Sequence, residues 1–170
     1  MMQTIDRILV PVDLSPCSRA AFEQAAFFAR HFDASVDIVL VATENGRAQE
    51  WSELLDELGG PDGSSDDLQS RAAKALERFL GTFDASGLRL RTRVEVGDPF
   101  EVIVRIMTTG AYDLVIIGSH GRDRLLRRVL RGLSERVTQR SRCPVVVVHE
   151  DARAPSRDDA RVEPVVPARE

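Results

Sequence analysis

Short apolar segments that recur along the chain limit most strongly how it can fold. Four of them are too short to be typical buried helices: Ile8–Val12, Val36–Val41, Asp113–Ile117 and Val145–Val148. Nearly continuous apolar runs of this length are typical of strands covered on both faces, as in parallel sheets. Because neighbouring parallel strands need long crossover connections, the same runs predict helices between them.

Apolar residues at helical spacing predict these intervening helices. Two of the helices begin with a capping side chain followed by proline at the first helical position. Those starts are Ser15-Pro16 and Asp98-Pro99, and two further helices are predicted over 68–83 and 122–142.

A fifth strand, Leu88–Val96, differs from the others because polar and apolar residues alternate along it. One apolar and one charged face are typical of a strand at the edge of a sheet. The alternation of strands and helices along the whole chain predicts an α/β fold with an open, doubly wound, five-stranded parallel sheet. The predicted solvent face of the fifth strand contains Arg89, Arg91, Arg93 and Glu95.

The length of the chain suits one domain. Its 170 residues, 43% of them hydrophobic, can build a normal core and leave little room for a second one. We therefore expect a single domain over residues 1–149. From Glu150 onward the sequence is charged and contains Pro155, Pro164 and Pro167, so residues 150–170 are predicted to form a disordered tail.

Charge and composition argue against several classes of partner. The formal net charge of -4 is a poor match to nucleic acid. No apolar run approaches the ~20 residues that a membrane helix needs, and the N-terminal residues lack the pattern of a secretory signal. Cys17 and Cys143 stand alone without metal-ligand spacing, so we expect reduced thiols, a cytoplasmic location and no metal site.

Two features follow directly on predicted strands. Asp13 follows the first strand, and Gly118-Ser119-His120-Gly121 follows the fourth. Ligands of open α/β sheets bind beyond the carboxyl ends of the strands. Glycines let backbone N–H groups approach a phosphate, and a helix N-terminus favours its charge. The alternative interpretation is a tight turn that needs its glycines only for their backbone angles.

The sequence contains no evident catalytic arrangement. His120 has no carboxylate or nucleophile partner in sequence, and Ser15, Ser18 and Ser134 are expected to be caps or surface groups. Neither a P-loop nor a dinucleotide-binding glycine pattern occurs. We therefore expect a binding protein rather than an enzyme.

The order and spacing of several segments resemble the universal stress protein family over about residues 4–149. The segments that carry the resemblance are Ile8–Ser15, Gly97–Pro99, Asp113–Gly121, Ser134–Val137 and Cys143–Val148. The resemblance implies an adenine-nucleotide alpha-hydrolase-like sheet with strand order 3-2-1-4-5, and a crevice between strands one and four. It also implies a homodimer that forms through the last strand.

The chain departs from the glycine pattern of ATP-binding members of the family. Those members carry Gly, two residues, Gly, nine residues, Gly, and then Ser or Thr. This chain keeps Gly118 and Gly121 but has Arg131 at the third glycine and Gly132 at the hydroxyl position. In one interpretation Gly132 caps the following helix and Arg131 binds a phosphate. In the other, Arg131 fills the phosphate pocket and the site is degenerate.

The leading hypothesis is a cytoplasmic, dimeric stress-response regulator or sensor that binds ATP or another adenine nucleotide, with or without Mg. Its rival is an interaction module of the same fold whose nucleotide site is closed, and slow ATP hydrolysis is a third hypothesis. The predicted nucleotide-binding residues are Pro11, Val12, Asp13, Val41, Ile117, Gly118, Ser119, His120, Gly121, Arg122, Arg131, Gly132 and Leu133.

Overall fold

The computed structural model describes residues 4–43, 65–119 and 132–150. The predicted tail beyond Glu150, the polar connection between the second strand and second helix, and residues 120–131 lie outside the described residues. The strands are β1 (Arg7–Val12), β2 (Ser35–Ala42), β3 (Arg89–Val96), β4 (Leu114–Gly118) and β5 (Val145–Val148). The helices are α1 (Pro16–Phe32), α2 (Ser65–Leu80), α3 (Pro99–Thr109) and α4 (Leu133–Arg140).

The five strands form one sheet in the order β3-β2-β1-β4-β5, and every neighbouring pair is parallel. The predicted fold class and strand order are therefore confirmed. The chain first winds from β1 through β2 to β3. It then returns through α3 to β4 on the other side of β1, so the winding direction changes between β1 and β4.

Helices cover the sheet on both faces, which explains why its central strands are largely apolar, with Asp37 of β2 as an exception. Ile8 and Val10 of β1 are buried against the layer that contains α1 and α2. Leu9, between them, belongs to the core on the opposite face, beside α3 and α4. Side chains alternate across a strand, so a strand buried on both faces needs apolar residues at every position.

Both predicted helix starts are confirmed. Ser15 is the N-cap of α1, where its Oγ accepts a hydrogen bond from the Ser18 N–H at 3.2 Å. Asp98 is the N-cap of α3, where its Oδ1 accepts from the Glu101 N–H at 3.0 Å. In each case the side chain satisfies a backbone donor that has no partner within the helix.

A buried polar cluster at the amino edge of the sheet, the end at which the strands begin, holds the crossover in place. Asp37 of β2 accepts hydrogen bonds at one oxygen, Oδ2, from Arg7 Nη2 and from the Tyr112 hydroxyl, each at 2.8 Å. Arg7 also donates to the carbonyl of Gly110, which ends α3. Asp113 Oδ2 accepts from the Arg7 N–H at 2.9 Å. These contacts connect β1 and β2 to the segment between α3 and β4.

Tyr112, the only tyrosine in the chain, provides a test of this cluster. Burial and the hydrogen bond to Asp37 raise the pKa of Tyr112 to about 12 from an ordinary value of 10.0. The folded protein therefore keeps a proton that the unfolded chain loses, so the free energy of unfolding should fall as pH rises from about 10 to about 12. Tyr112→Phe should remove this component of the pH dependence. It should also lower the free energy of unfolding at neutral pH by about 1–3 kcal/mol, because Asp37 loses a donor.

Urea unfolding of both proteins across neutral and alkaline pH measures the two effects. An identical alkaline slope in the wild type and in Tyr112→Phe would show that Tyr112 is not linked to folding as stated.

Candidate functional site

The change of winding direction brings the carboxyl ends of β1 and β4 together at one edge of the sheet. The register pairs Leu9 with Val115. Asp13 directly follows β1, and Gly118 is the last residue of β4. The two predicted halves of the crevice therefore lie at the same edge, called here the carboxyl edge. Open α/β sheets bind ligands at such a switch point.

The predicted site residues divide into a buried group and a group at the carboxyl edge. Val12 and Ile117 are almost fully buried, on opposite faces of the sheet, and Pro11 is buried as well. Val41 is partly buried against the core beside α3. These residues fix the backbone beneath the edge. Asp13, Gly118, Ser119, Gly132 and Leu133 lie at the edge itself, whereas His120, Gly121, Arg122 and Arg131 lie outside the described residues.

Asp13 is built into the start of α1. Its Oδ1 accepts hydrogen bonds from the Ser15 N–H at 3.1 Å and from the Ser18 hydroxyl at 2.5 Å. Its own N–H donates to Ser18 Oγ at 2.8 Å. Leu14, between Asp13 and Ser15, has a positive φ of 61°, which is costly for a residue with a side chain. The Asp13 carboxylate therefore has a fixed orientation, and part of its acceptor capacity serves the helix.

Gly118 is required for close packing rather than for its backbone angles. Its φ is not among the positive values of the described glycines, which are found at Gly87 and Gly97. A Cβ at Gly118 would lie 2.9 Å from Cys17 Cβ and 3.1 Å from the Cys17 carbonyl carbon. The end of β4 thus contacts the first turn of α1 directly. The interpretation that Gly118 serves only a turn with special backbone angles is wrong.

The start of α4 meets the end of β4 at Ser119. The Ser119 N–H donates to the Val148 carbonyl at 2.7 Å, and the Ser119 carbonyl accepts from Ser134 Oγ at 3.2 Å. Gly132 is the N-cap of α4, as one of the two interpretations required, and it supplies no side-chain cap. The proximal and distal parts of the predicted site are therefore in contact, although 12 residues of sequence separate them.

Ser134 is a positioning residue; the sequence analysis expected it to be a cap or surface group and otherwise named it only within a segment of the family resemblance. It is buried, and it joins α4 to the turn after β4. The signal that was available is its spacing from Val137, which is also buried and lies one helical turn further along α4. A hydroxyl on the core side of a helix needs a hydrogen-bond partner, which here is the Ser119 carbonyl.

Other features of the described residues lie away from the carboxyl edge or are absent. A cavity of about 230 Å³ lies at the amino edge, lined in part by Thr108, Tyr112, Arg140 and Cys143. Among the residues described, no three His, Cys, Asp or Glu side chains gather as a metal site would require. In the same parts of the chain, no helix has the length and apolar content to cross a bilayer.

An open parallel sheet with helices on both faces, and with glycine and carboxylate at its switch point, defines the doubly wound α/β class of folds. Within that class, a profile of the Universal stress protein family matches residues 4–149. The chain belongs to the universal stress protein family.

Individual relatives agree with this assignment. The chain is 30% identical over 146 residues to universal stress protein MJ0531 of Methanocaldococcus jannaschii, an alignment covering 84% of this chain and 81% of that protein. The solved structure of MJ0577 from the same organism is 27% identical, with a TM-score of 0.66, and the match covers 90% of this chain and 99% of that one.

Two more distant structures share the fold. A universal stress protein in complex with cAMP is 18% identical, with a TM-score of 0.57, and covers 87% of this chain and 99% of its own. An Arabidopsis thaliana family member with AMP bound is 17% identical, with a TM-score of 0.55, and covers 86% and 93%. At these identities the similarity shows the fold alone.

The contact between Gly118 and Cys17 leads to a prediction about stability. Gly118→Ala should lower the free energy of unfolding by about 1–3 kcal/mol, because the added Cβ meets α1 with little room to relax. Gly132→Ala is the matched control. Among the described residues, the nearest atom to a Cβ there is Ser134 Oγ at 3.8 Å, so the cost should be smaller. Urea unfolding of the three proteins measures the difference, and equal stability of the two variants would contradict the packing argument.

Proposed function

We propose that this protein binds an adenine nucleotide at the carboxyl edge between β1 and β4. One observation carries the proposal: Ser119 contacts the start of α4. This contact lies across the switch point from Asp13. Phosphates would meet the backbone of Gly118 and Ser119 and the first turn of α4. Ribose or base would lie toward Asp13 and Val41.

The start of α4 fits an anion. Gly132 leaves the helix without a side-chain cap, so a ligand phosphate can take the place that a capping oxygen would fill. The positive end of the helix dipole adds favourable charge. Two proteins of the same fold were crystallised with AMP or cAMP, which supports an adenine nucleotide as the ligand to test first.

The alternative function is a protein-interaction module whose nucleotide site is degenerate. The hydrogen bonds of Asp13 to Ser15 and Ser18 favour this alternative, since they give the carboxylate a structural task that needs no ligand. Arg131 at the position of the third family glycine favours it as well.

We propose further that the protein senses or reports nucleotide in the cytoplasm as a homodimer and does not turn the nucleotide over. Support for the last point comes from the side chains at the described part of the edge. Asp13 is the carboxylate nearest the switch point, and Ser18 and Ser15 already hold it. A general base needs a free acceptor within reach of the attacking water.

Isothermal titration with ATP, ADP, AMP and cAMP, with and without magnesium, tests nucleotide binding. Gly132→Glu should weaken any binding at least about tenfold, because it places a negative charge at the N-cap where the phosphate would lie. Gly132→Gln is the uncharged control of the same size. Among the described residues, a Cβ at Gly132 would make only ordinary contacts, at 3.8 Å with Ser134 Oγ and at 4.0 Å with the Ser119 carbonyl oxygen.

The outcomes separate the hypotheses. The absence of heat with every nucleotide at millimolar concentration would overturn the proposal in favour of a degenerate site. If Gly132→Glu and Gly132→Gln weaken binding equally, the phosphate does not lie at the start of α4. If the wild type releases phosphate from ATP over hours, and releases more than Gly132→Glu does, the protein is a slow ATPase rather than only a binding protein.

The homodimer is proposed to form through β5. Among the described residues β5 pairs only with β4, and Val147 is 39% exposed on it. Val147→Lys should shift the protein toward monomer, because a charge at an edge strand opposes pairing. Phe27→Lys, at a comparably exposed apolar position on α1, should leave the assembly unchanged. Light scattering after size exclusion measures the mass, and a wild-type monomer would contradict the dimer.

A further inference from the structure

The other edge of the sheet, β3, presents a row of arginines to solvent. Arg89, Arg91 and Arg93 are all exposed, and they alternate with Leu90 and Val94, which pack on the core beside α1 and α2, and with Thr92, which is exposed. The arginine side chains lie on the opposite face, where Arg105 of α3 reaches Glu95 at 3.0 Å. Residues two apart on a strand repeat every ~6.6–6.8 Å, so the Cα atoms of these three arginines follow that spacing. The three arginines and Arg105 are called here the arginine face.

The arginine face keeps a net positive charge after its ion pairs are counted. Arg89 is paired with Asp33 at 3.4 Å, and both side chains are largely exposed. Arg93 and Arg105 share one carboxylate, that of Glu95, at 3.9 and 3.0 Å. Arg91 has no ion pair with any residue that the structure describes. A local excess of positive charge on a chain with a formal net charge of -4 is a departure from its average surface.

Among the described residues, no strand lies beside the outer side of β3. Within residues 4–43, 65–119 and 132–150, β3 pairs only with β2. Gln69 of α2 donates to the Val94 carbonyl at 3.1 Å, so within the described parts of the chain the stretch from Arg89 to Arg93 is the part of the outer edge without such a contact. An edge strand offers main-chain donors and acceptors to any extended segment laid beside it.

From these observations we infer that β3 and the arginine face dock an acidic peptide segment in extended conformation, added to the sheet as a further strand. Main-chain hydrogen bonds to β3 give the affinity, and alternate carboxylates of the peptide align with Arg89, Arg91 and Arg93. The match is geometric as well as electrostatic, because both strands have the same repeat between side chains on one face.

The same features disfavour other occupants. A second copy of β3 would place arginines opposite arginines, and like charges across a strand pair are destabilising. A single-stranded nucleic acid would need aromatic platforms beside the charges. The exposed aromatic side chains of the described residues, Phe27 and Phe32, are on α1. The surface is at the β3 edge, two strands from β1, so the inference is independent of the proposed nucleotide site.

Fluorescence anisotropy on the full chain tests the inference with a labelled synthetic peptide as long as β3, in which glutamate alternates with threonine. We expect binding that weakens with added salt, and at least a tenfold loss of affinity in Arg91→Glu. Arg142→Glu, at an exposed position before β5, is the matched control and should bind as the wild type does.

Three altered probes check the mode of binding. A peptide with glutamine in place of glutamate should lose most of the affinity. A peptide of the same composition with its glutamates contiguous should bind more weakly, because it loses the alternating register. A peptide with N-methylated backbone amides should also bind more weakly, because it cannot pair with β3.

Several results would overturn the inference. These are no binding at millimolar peptide, an equal loss in Arg91→Glu and Arg142→Glu, and equal affinity for the alternating and contiguous peptides. Tighter binding of a single-stranded oligonucleotide that competes with the peptide would assign the face to nucleic acid instead. Circular dichroism of each variant confirms that a lost signal does not reflect unfolding.

Discussion

The carboxylate of Asp37 is the constraint on which the rest of this structure depends. A buried charge is costly unless partners satisfy it, and here one oxygen receives both Arg7 and Tyr112. Arg7 begins β1, whereas Tyr112 precedes β4 on the far side of the crossover. The cluster therefore favours β4 beside β1 rather than at the open edge next to β3. Once β4 lies beside β1, the winding direction changes between them, and Asp13 and Gly118 come to the same carboxyl edge.

The two ends of the sheet are closed by different kinds of contact. At the amino edge, charged and aromatic side chains bridge the elements, including the Arg7 guanidinium 4.7 Å from the Tyr112 ring centre. At the carboxyl edge the elements meet largely through backbone, with β4 against α1 at Gly118 and α4 against Ser119. A backbone-lined edge has small side chains and a helix start near one another, which is the arrangement that anionic ligands use.

The two outer strands of the sheet also differ in chemistry. β5 is a run of valines, and one of them is substantially exposed. β3 carries arginines on its solvent face, and its Glu95 pairs both with Arg93 of the same strand and with Arg105 of α3. Edges with such different side chains select different neighbours, since apolar edges associate with apolar surfaces and charged edges resist self-pairing. The proposed dimer through β5 and the proposed peptide at β3 would therefore use different edges of the sheet.

The sequence by itself determined most of the elements, because periodicity and capping act over neighbouring residues. The helix predicted over 122–142 is an exception, since α4 begins only at Leu133, after its N-cap Gly132. Continuous apolar runs specified β1 and β2, Ser15 and Asp98 specified helix starts, and the resemblance to relatives supplied the strand order. Only the tertiary structure decided which role each edge residue has. That Gly118 is needed against Cys17, that Ser134 holds Ser119, and that Asp37 anchors the crossover all depend on atoms far apart in sequence. Local patterns do not name the partners in such contacts, since the contacts exist only after the elements have packed; the spacing of Ser134 from Val137 indicates only that Ser134 is buried.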